Sequence, residues 1–413
     1  MKRIYLLPLL LIILLTGVVG GALFWNRYSH GFSLRFPSAQ NYVYYTVKDA
    51  HGFVLARAPR GNNGQPVGAL QALIPLGNSF GLATTDAIIS LQLSPDGRYL
   101  AIDGNRDHGE QVWMYDVEQS AVSYKPAAVM GNFLRWLPNG NGHTFLYRPM
   151  FPLGPAAPLD NGVWNPGLWT VDAESGVHQN INLGVPSAAI IDAVPSPDGS
   201  RIIYSVGSGL GQGSDTYVMS SDGSARTHLF RASGLESITG LFTWSPDGSR
   251  IAYERLADSP APYRPAGLWT MSSQGGQQQR LADVDGGHGY MPAWSPDGEK
   301  LAFVVRMNAD NRQADLQSQE LQAAIGVFDL RHNQARIVAS SAQTGLQLNI
   351  DPTWSGDSEQ VIFTALNPAN RDLGATSRYW SASLISHSTR VGQADQTQVV
   401  PLSPVYSHVV AWE

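Results

Sequence analysis

The sequence predicts an all-β protein made of repeated four-stranded units, and three observations lead to that prediction. A Ser-Pro-Asp-Gly turn recurs between apolar segments, glycine (42) and proline (26) are plentiful, and only 15% of the 413 residues are charged. Proline fixes φ in such a turn, aspartate bonds to its own backbone, and glycine adopts the positive φ that closes a hairpin. Each copy therefore joins two antiparallel strands.

Four copies of the turn are intact, at 94–97, 196–199, 245–248 and 295–298, and two are degraded, at 137–140 and 355–358. The Asp or Asn of each copy stands at 96, 139, 198, 247, 297 or 357, so the shortest spacing is 43 residues and the longest is 60. A unit of about 40–45 residues, lengthened by insertions, is the period of a four-stranded propeller blade. The spacing therefore predicts a β-propeller.

The pattern S-P-D-G-x-x-[IL]-[AI]-[FY], complete in residues 295–303, resembles the WD40-like PD40 repeats of TolB-type propellers over residues 40–413. The resemblance implies a TolB-like envelope role, in which a rigid, exported platform docks a protein or peptide partner through its loop face. It covers the propeller only. Between Trp25 and Tyr42 there is no room for the separate N-terminal domain of TolB, and no TolB binding residue maps onto this chain by motif.

The first three strands, at 42–47, 53–58 and 69–76, have no turn motif before them, so their blade lacks a first strand. The last segment, 405–412, aligns with the strand that precedes the turn at 295. We therefore expect the C-terminal strand to complete the first blade and close a ring of seven, which removes the unpaired sheet edges. A ring of six blades, with the N-terminal strands attached differently, is the alternative.

Aromatic residues recur at two positions of the unit. A residue repeated at one blade position is expected to pack between blades rather than to bind a ligand. These residues are Trp136, Trp244, Trp294, Trp354 and Trp412 at the ends of first strands, and Trp113, Trp169, Tyr217, Trp269, Phe328 and Trp380 in third strands.

Residues 1–27 are expected to form a membrane anchor or a signal peptide, followed by a stalk at 28–40 and the propeller at 41–413. The apolar run from Ile4 to Trp25 is long enough to span a bilayer, and Lys2 and Arg3 orient its start to the cytoplasm. This predicts a single-pass inner-membrane protein with a periplasmic propeller. Cleavage near Ala22 would instead give a soluble periplasmic protein.

Composition excludes several classes of function. A pI near 5.9 argues against nucleic-acid binding, which needs clustered positive charge. The absence of cysteine excludes disulfides, thiolate metal sites, thiol nucleophiles and a lipoprotein anchor. No cofactor is predicted.

The loops between second and third strands are long, and together with the crossings between blades they lie on one face. Binding residues concentrate on such loops, and arginine with aromatic residues is typical of protein-interface hot spots. Alternatively, these arginines pair with aspartates of the same loops. The candidate binding residues are Arg148, Phe151, Trp164, Arg255, Tyr263, Arg264, Arg306, Arg371 and Arg378. On the same face, we expect a short lid helix at 308–324, because this segment is rich in Ala and Gln.

The alternative function is a glycan-binding or metal-dependent, glycan-cleaving propeller of the lyase type. Its weak metal candidates are His51, His108, His288 and His408, all expected on the loop face. No HExxH, GxSxG or phosphate-binding loop motif is present, so no catalytic residue is predicted. The preferred interpretation is a non-catalytic scaffold.

Overall fold

The computed structural model describes residues 42–49, 52–61, 68–69, 71–76, 87–106, 109–123, 131–138, 142–149, 159–160, 163–164, 167–185, 189–209, 211–258, 264–286, 290–314, 320–367, 378–383, 399–401 and 408–409. All of them belong to one compact unit, Ala39–Glu413. Among these residues, no helix has the length and apolar character needed to cross a membrane. The predicted anchor and stalk, residues 1–40, lie outside the described part of the chain.

The described residues form thirty strands and one short helix, α1 (Ser341–Thr344). In chain order the strands are β1 (Tyr42–Asp49), β2 (Gly52–Pro59), β3 (Gln71–Pro75), β4 (Ala87–Leu93), β5 (Tyr99–Arg106), β6 (Gly109–Asp116), β7 (Ala121–Ser123), β8 (Gly131–Trp136), β9 (Thr144–Pro149), β10 (Leu159–Asp160), β11 (Val163–Trp164), β12 (Leu168–Asp172), β13 (His178–Ile181), β14 (Ile190–Pro195), β15 (Arg201–Gly207), β16 (Ser214–Ser220), β17 (Thr227–Ala232), β18 (Ile238–Trp244), β19 (Arg250–Leu256), β20 (Ala266–Ser272), β21 (Gln279–Val284), β22 (Ala293–Trp294), β23 (Lys300–Arg306), β24 (Ala323–Asp329), β25 (Gln334–Ala339), β26 (Leu348–Trp354), β27 (Gln360–Leu366), β28 (Arg378–Ser383), β29 (Val399–Pro401) and β30 (His408–Val409).

Within the described residues, these strands make seven four-stranded antiparallel sheets and one hairpin, β10–β11. We number the sheets along the chain: sheet 1 (β1–β3 with β30), sheet 2 (β4–β7), sheet 3 (β8, β9, β12, β13), sheet 4 (β14–β17), sheet 5 (β18–β21), sheet 6 (β22–β25) and sheet 7 (β26–β29). The prediction of an all-β chain of four-stranded units is confirmed, and the arrangement agrees with a β-propeller.

The recurrent turn is held by one repeated hydrogen-bond pattern. In sheet 5, the Ser245 hydroxyl donates to Asp247 Oδ1 at 2.5 Å and accepts from the Arg250 backbone N–H at 2.9 Å, while Gly248 has φ +67°. The serine hydroxyl contributes most to lowering the pKa of Asp247 to about 2, and the pKa of Asp198 in sheet 4 falls to about 2 for the same reason. In the degraded turn of sheet 7, Ser358 occupies the glycine position at φ +62°.

Tryptophans at the ends of first strands join each sheet to the sheet before it. The indole N–H donates to a carbonyl of the preceding first strand: Trp136 to Gln92 (3.0 Å), Trp244 to Val194 (3.2 Å), Trp294 to Thr243 (3.1 Å) and Trp354 to Ala293 (2.9 Å). A cation from the preceding sheet lies over three of these rings: Arg201 over Trp244, Arg250 over Trp294 and Lys300 over Trp354. All four tryptophans are buried, so the prediction that they pack between sheets is confirmed.

The third-strand aromatics divide by burial. Trp113, Trp169 and Phe328 are buried, Tyr217 and Trp269 are half-buried, and Trp380 is placed in β28 without its side chain. The fifth first-strand tryptophan, Trp412, lies outside the described residues. The C-terminal segment pairs with the first strand of the chain, with Tyr45 opposite Val409 and Thr46 opposite His408. This is the pairing that the sequence alignment predicts.

The lid helix predicted at 308–324 is not formed in the part of that segment that the structure describes. Residues 308–314 make successive turns, with the Asn311 N–H donating to the Asn308 carbonyl at 3.0 Å. The Asn308 side chain joins both ends of the loop, since its amide donates to the Glu320 carbonyl at 2.6 Å and accepts from Gln322 N–H at 3.1 Å. Asparagine forms such local backbone bonds readily, and they compete with a helix.

Candidate binding site

The two ends of the sheets form two different rims. Turns between first and second strands meet their neighbours at one rim: Asp96 N–H donates to the Gly142 carbonyl at 3.4 Å, and Asp297 N–H donates to the Ser358 hydroxyl at 3.0 Å. We call this end the turn rim. The other end, the loop rim, holds the second-to-third loops and the connections between sheets. There the loops of sheets 4 and 5 are joined by a hydrogen bond from Gly211 N–H to the Asp258 carboxylate.

Three of the predicted arginines hold the framework of the loop rim. Arg148, near the end of β9, donates to the backbone carbonyls of Ile190 and Ile191 in the next sheet. Arg255 lies over the Trp269 ring at 5.0 Å, with its Nε 3.9 Å from Glu236 Oε2. Arg306 is buried and donates to the Asn311 carbonyl at 3.2 Å.

The fourth described candidate, Arg264, is exposed in the β19–β20 loop. Its guanidinium is therefore presented to solvent, as a binding residue requires. The remaining candidates are not described in this detail. Phe151, Tyr263 and Arg371 lie outside the described residues, and Trp164 and Arg378 are placed in β11 and β28 without their side chains.

The metal candidates His51, His108 and His288 also lie outside the described residues, and His408 is placed in β30 by its backbone alone. Among the described residues, no group of three or more His, Cys, Asp or Glu side chains is arranged to hold a metal ion.

Two exposed apolar side chains on the loop rim escaped the sequence analysis. Leu235, in the connection between sheets 4 and 5, is 68% exposed, and Met307, directly after β23 in sheet 6, is 51% exposed. Arg264, in the β19–β20 loop of sheet 5, is a third exposed residue on the same rim. Single apolar residues inside polar loops gave the only sequence signal, which does not separate exposed from buried positions.

A cleft of about 590 Å³ lies between sheets 3 and 4 and reaches the loop rim at Ser208. One wall is a cross-strand row of three rings in sheet 4, where Tyr204 pairs with Tyr217 and Tyr217 pairs with His228. The tyrosine rings are stacked at 5.3 Å and 15°, and His228 meets Tyr217 edge-on at 5.0 Å. Leu183 and Val185, which follow β13 of sheet 3, line the opposite side.

The carboxylate that lines the cleft, Asp215, is paired on both of its oxygens. His228 Nε2 lies 2.9 Å from Asp215 Oδ1, and Arg231 pairs with the other oxygen of the same carboxylate. Arg226 donates to the Leu183 carbonyl at 3.3 Å and bonds to the Tyr204 side chain. Burial raises the pKa of Tyr204 and Arg226 partly offsets this, so the Tyr204 hydroxyl keeps its proton at neutral pH.

A buried acid lies in sheet 5. Glu254 in β19 is 1% exposed, and Asp285, which follows β21, is 5% exposed. Burial, and secondly the charge of Asp285, raises the pKa of Glu254 well above its usual 4.5. The sequence gives no warning of this group, since Glu254 stands in an otherwise ordinary strand.

Comparisons with known proteins find relatives that match part of the chain. The chain is 25% identical over 183 residues to the Tol-Pal system protein TolB of Haemophilus influenzae. This match covers 41% of this chain and 37% of the relative. The chain is similar to TolB-type propellers. The resemblance indicated by the turn motif is confirmed by this TolB match. No protein-family model matches.

Other relatives carry different descriptions. The chain is 27% identical over 205 residues to the uncharacterized peptidase YuxL of Bacillus subtilis, covering 43% of this chain and 29% of that protein. The chain thus spans 37% of the length of TolB and 29% of the length of YuxL. A solved oligogalacturonate lyase in complex with manganese matches 85% of this chain and 88% of its own, with a TM-score of 0.55 and 13% identity, which shows the fold alone. TolB and a peptidase match parts of this sequence, and a lyase shares the fold, so these similarities do not separate catalytic from non-catalytic proteins.

Proposed function

We propose that this protein is a non-catalytic, exported scaffold that binds a protein or peptide partner in the bacterial cell envelope through its loop rim. The observation that carries the proposal is the exposure of three residues on that rim, Leu235, Arg264 and Met307. The internal contacts of Arg148, Arg255 and Arg306 hold the framework of the same rim. Exposed apolar groups beside arginine are the composition of a protein-binding hot spot. The similarity to TolB supports the same role.

The scaffold is a ring of seven blades closed by the C-terminal strand, and residues 1–27 anchor it to the inner membrane. Seven four-stranded sheets among the described residues and the pairing of Tyr45 with Val409 support the closed ring. The apolar run from Ile4 to Trp25 supports the anchor. Closure stabilises the platform, because β30 pairs with the inner edge of β1, which would otherwise be unpaired.

The closure is tested with paired cysteines, which the cysteine-free sequence permits. In a Tyr45→Cys/Val409→Cys variant the two residues stand opposite each other, so mild oxidation should form an intramolecular disulfide that speeds migration on a non-reducing gel. Val47→Cys/Val409→Cys, displaced by two positions, is the matched control. Equal oxidation of both pairs, or of neither, would contradict the closed ring.

The partner site is tested by site-specific photo-cross-linking in cells. A benzophenone amino acid replacing Met307 on the loop rim should yield a discrete cross-linked product, because an exposed side chain there faces the partner. Adding Arg264→Glu and Leu235→Asp should remove most of that product, since both changes act on the same surface. In spheroplasts, protease added from outside should digest the product if the propeller is periplasmic.

The control position is Val177, which is 63% exposed in the β12–β13 turn on the turn rim. The same photo-reactive residue there should give no such product. Cross-links of equal yield at 177 and 307, or a product unaffected by Arg264→Glu with Leu235→Asp in a protein of unchanged thermal melt, would rule out the loop rim as the partner site.

A further inference from the structure

We infer that the cleft between sheets 3 and 4 binds a small aromatic carboxylate. This site does not include Leu235, Arg264 or Met307, the exposed residues of the loop rim. Its ligand is a small molecule rather than a protein. Three features carry the inference, namely the volume and aromatic wall of the cleft, the engagement of its carboxylate by other side chains, and the position of one arginine.

The volume of about 590 Å³ is in the range of small-molecule sites, which run from about 300 to 1,000 Å³. The wall offers an aromatic surface, because the half-buried Tyr217 ring extends the stack that begins with the buried Tyr204. The half-buried side chains of Val185 and Val206 flank this surface. A flat ligand ring can pack against the Tyr217 ring in this cleft, since aromatic pairs favour offset or edge-to-face contact.

The charges of the wall favour an anion. Both carboxylate oxygens of Asp215 are already engaged, one by His228 and one by Arg231. Arg226 has no acidic partner among the described residues, and its contacts with the Leu183 carbonyl and the Tyr204 side chain leave guanidinium N–H groups for a ligand. Arginine binds carboxylates through paired, charge-assisted hydrogen bonds.

Arg226 stands beside the ring row, since it is two residues before His228 in the sequence and contacts Tyr204. A ligand ring on Tyr217 therefore places an attached carboxylate next to Arg226. A neutral aromatic molecule would leave the arginine without a counter-charge, and a simple anion would leave the aromatic wall uncovered. Only a ligand with both parts uses the whole site.

The test is calorimetric titration of the full-length chain in detergent with phenylacetate, compared with 2-phenylethanol and with acetate. We expect millimolar or tighter binding of phenylacetate and at least tenfold weaker binding of both comparison compounds. Arg226→Gln and, independently, Tyr217→Leu should each weaken phenylacetate binding at least tenfold. Arg331→Gln, at an exposed arginine on the turn rim of sheet 6, should leave it unchanged.

Thermal melts of all variants accompany the titrations and show which variants are folded. If one of the two cleft variants, Arg226→Gln or Tyr217→Leu, does not fold, the other variant still tests the inference. The inference is overturned if the native chain fails to bind phenylacetate at millimolar concentration. It is equally overturned if a well-folded Arg226→Gln or Tyr217→Leu chain binds phenylacetate as the native chain does, or if 2-phenylethanol binds as tightly as phenylacetate. None of these outcomes depends on the partner proposed for the loop rim.

Discussion

Trp294→Ala is expected to lower the free energy of unfolding by about 3–5 kcal/mol, the range for removing a buried large aromatic side chain. The Trp294 ring packs with residues of sheets 5 and 6, including Leu268 and Phe303. Its N–H reaches the Thr243 carbonyl at 3.1 Å, and Arg250 lies 5.2 Å from the ring centroid. The substitution removes all three interactions between the two sheets and leaves a cavity. Urea unfolding followed by far-UV circular dichroism measures the loss.

Trp294→Phe separates the packing from the hydrogen bond. The phenyl ring retains most of the buried area, but the Thr243 carbonyl loses its indole donor, which costs about 1–3 kcal/mol for an unsatisfied buried group. The expected order of stability is native, then Trp294→Phe, then Trp294→Ala. A loss below about 1 kcal/mol in the alanine variant would show that the tryptophan does not join the sheets.

Glu254→Gln is expected to make the protein increasingly more stable than the native chain as the pH rises above about 4.5. The pKa of Glu254 is raised in the folded state by its burial, so folding favours the protonated acid. Below the pKa that Glu254 has in the unfolded chain, the native protein therefore keeps all of the stability that this group contributes. It loses that stability as the pH rises toward the higher pKa of Glu254 in the folded state. The loss amounts to about 1.4 kcal/mol per pH unit in that window.

Glutamine cannot ionise, so the stability difference between the two chains should be small at pH 4 and grow through neutral pH. Urea unfolding of both chains at half-unit steps of pH measures this difference directly. Glu118→Gln, at a side chain that is 71% exposed, is the control and should show no such trend. A difference for Glu254→Gln that stays constant between pH 4 and 8 would refute the raised pKa.

The strands and the sheet-to-sheet packing were predictable because local sequence determines both. The Ser-Pro-Asp-Gly turn fixes where two strands meet, and the tryptophan before it must lie at the same place in each sheet. Residues 308–314 were mispredicted because helix propensity is a weak preference, and the bonds of Asn308 to Glu320 and Gln322 outweigh it.

The cleft was not predictable because its residues are neighbours only across strands. Tyr204, Tyr217 and His228 are separated by more than ten residues each, and they form one row through the register of β15, β16 and β17. A shift of one residue in either pairing would turn the rings to opposite sides of the sheet. The loop arginines show the opposite case. Their location was predictable, whereas the backbone contacts of Arg148 depend on the neighbouring sheet.

One irregularity of the repeat bears on how a ligand would enter the cleft. The first strand of sheet 4 ends in Val194 and Pro195, where sheets 3, 5, 6 and 7 have tryptophan, so this position provides no indole N–H toward sheet 3. The first strand of sheet 2 ends in Leu93 and lacks the donor as well, but it is the boundary of sheets 3 and 4 that contains the cleft. Each interaction that is missing at a boundary lowers the free energy that local opening requires there. Transient separation of sheets 3 and 4 would therefore admit a small molecule while the tryptophan-joined boundaries stay closed.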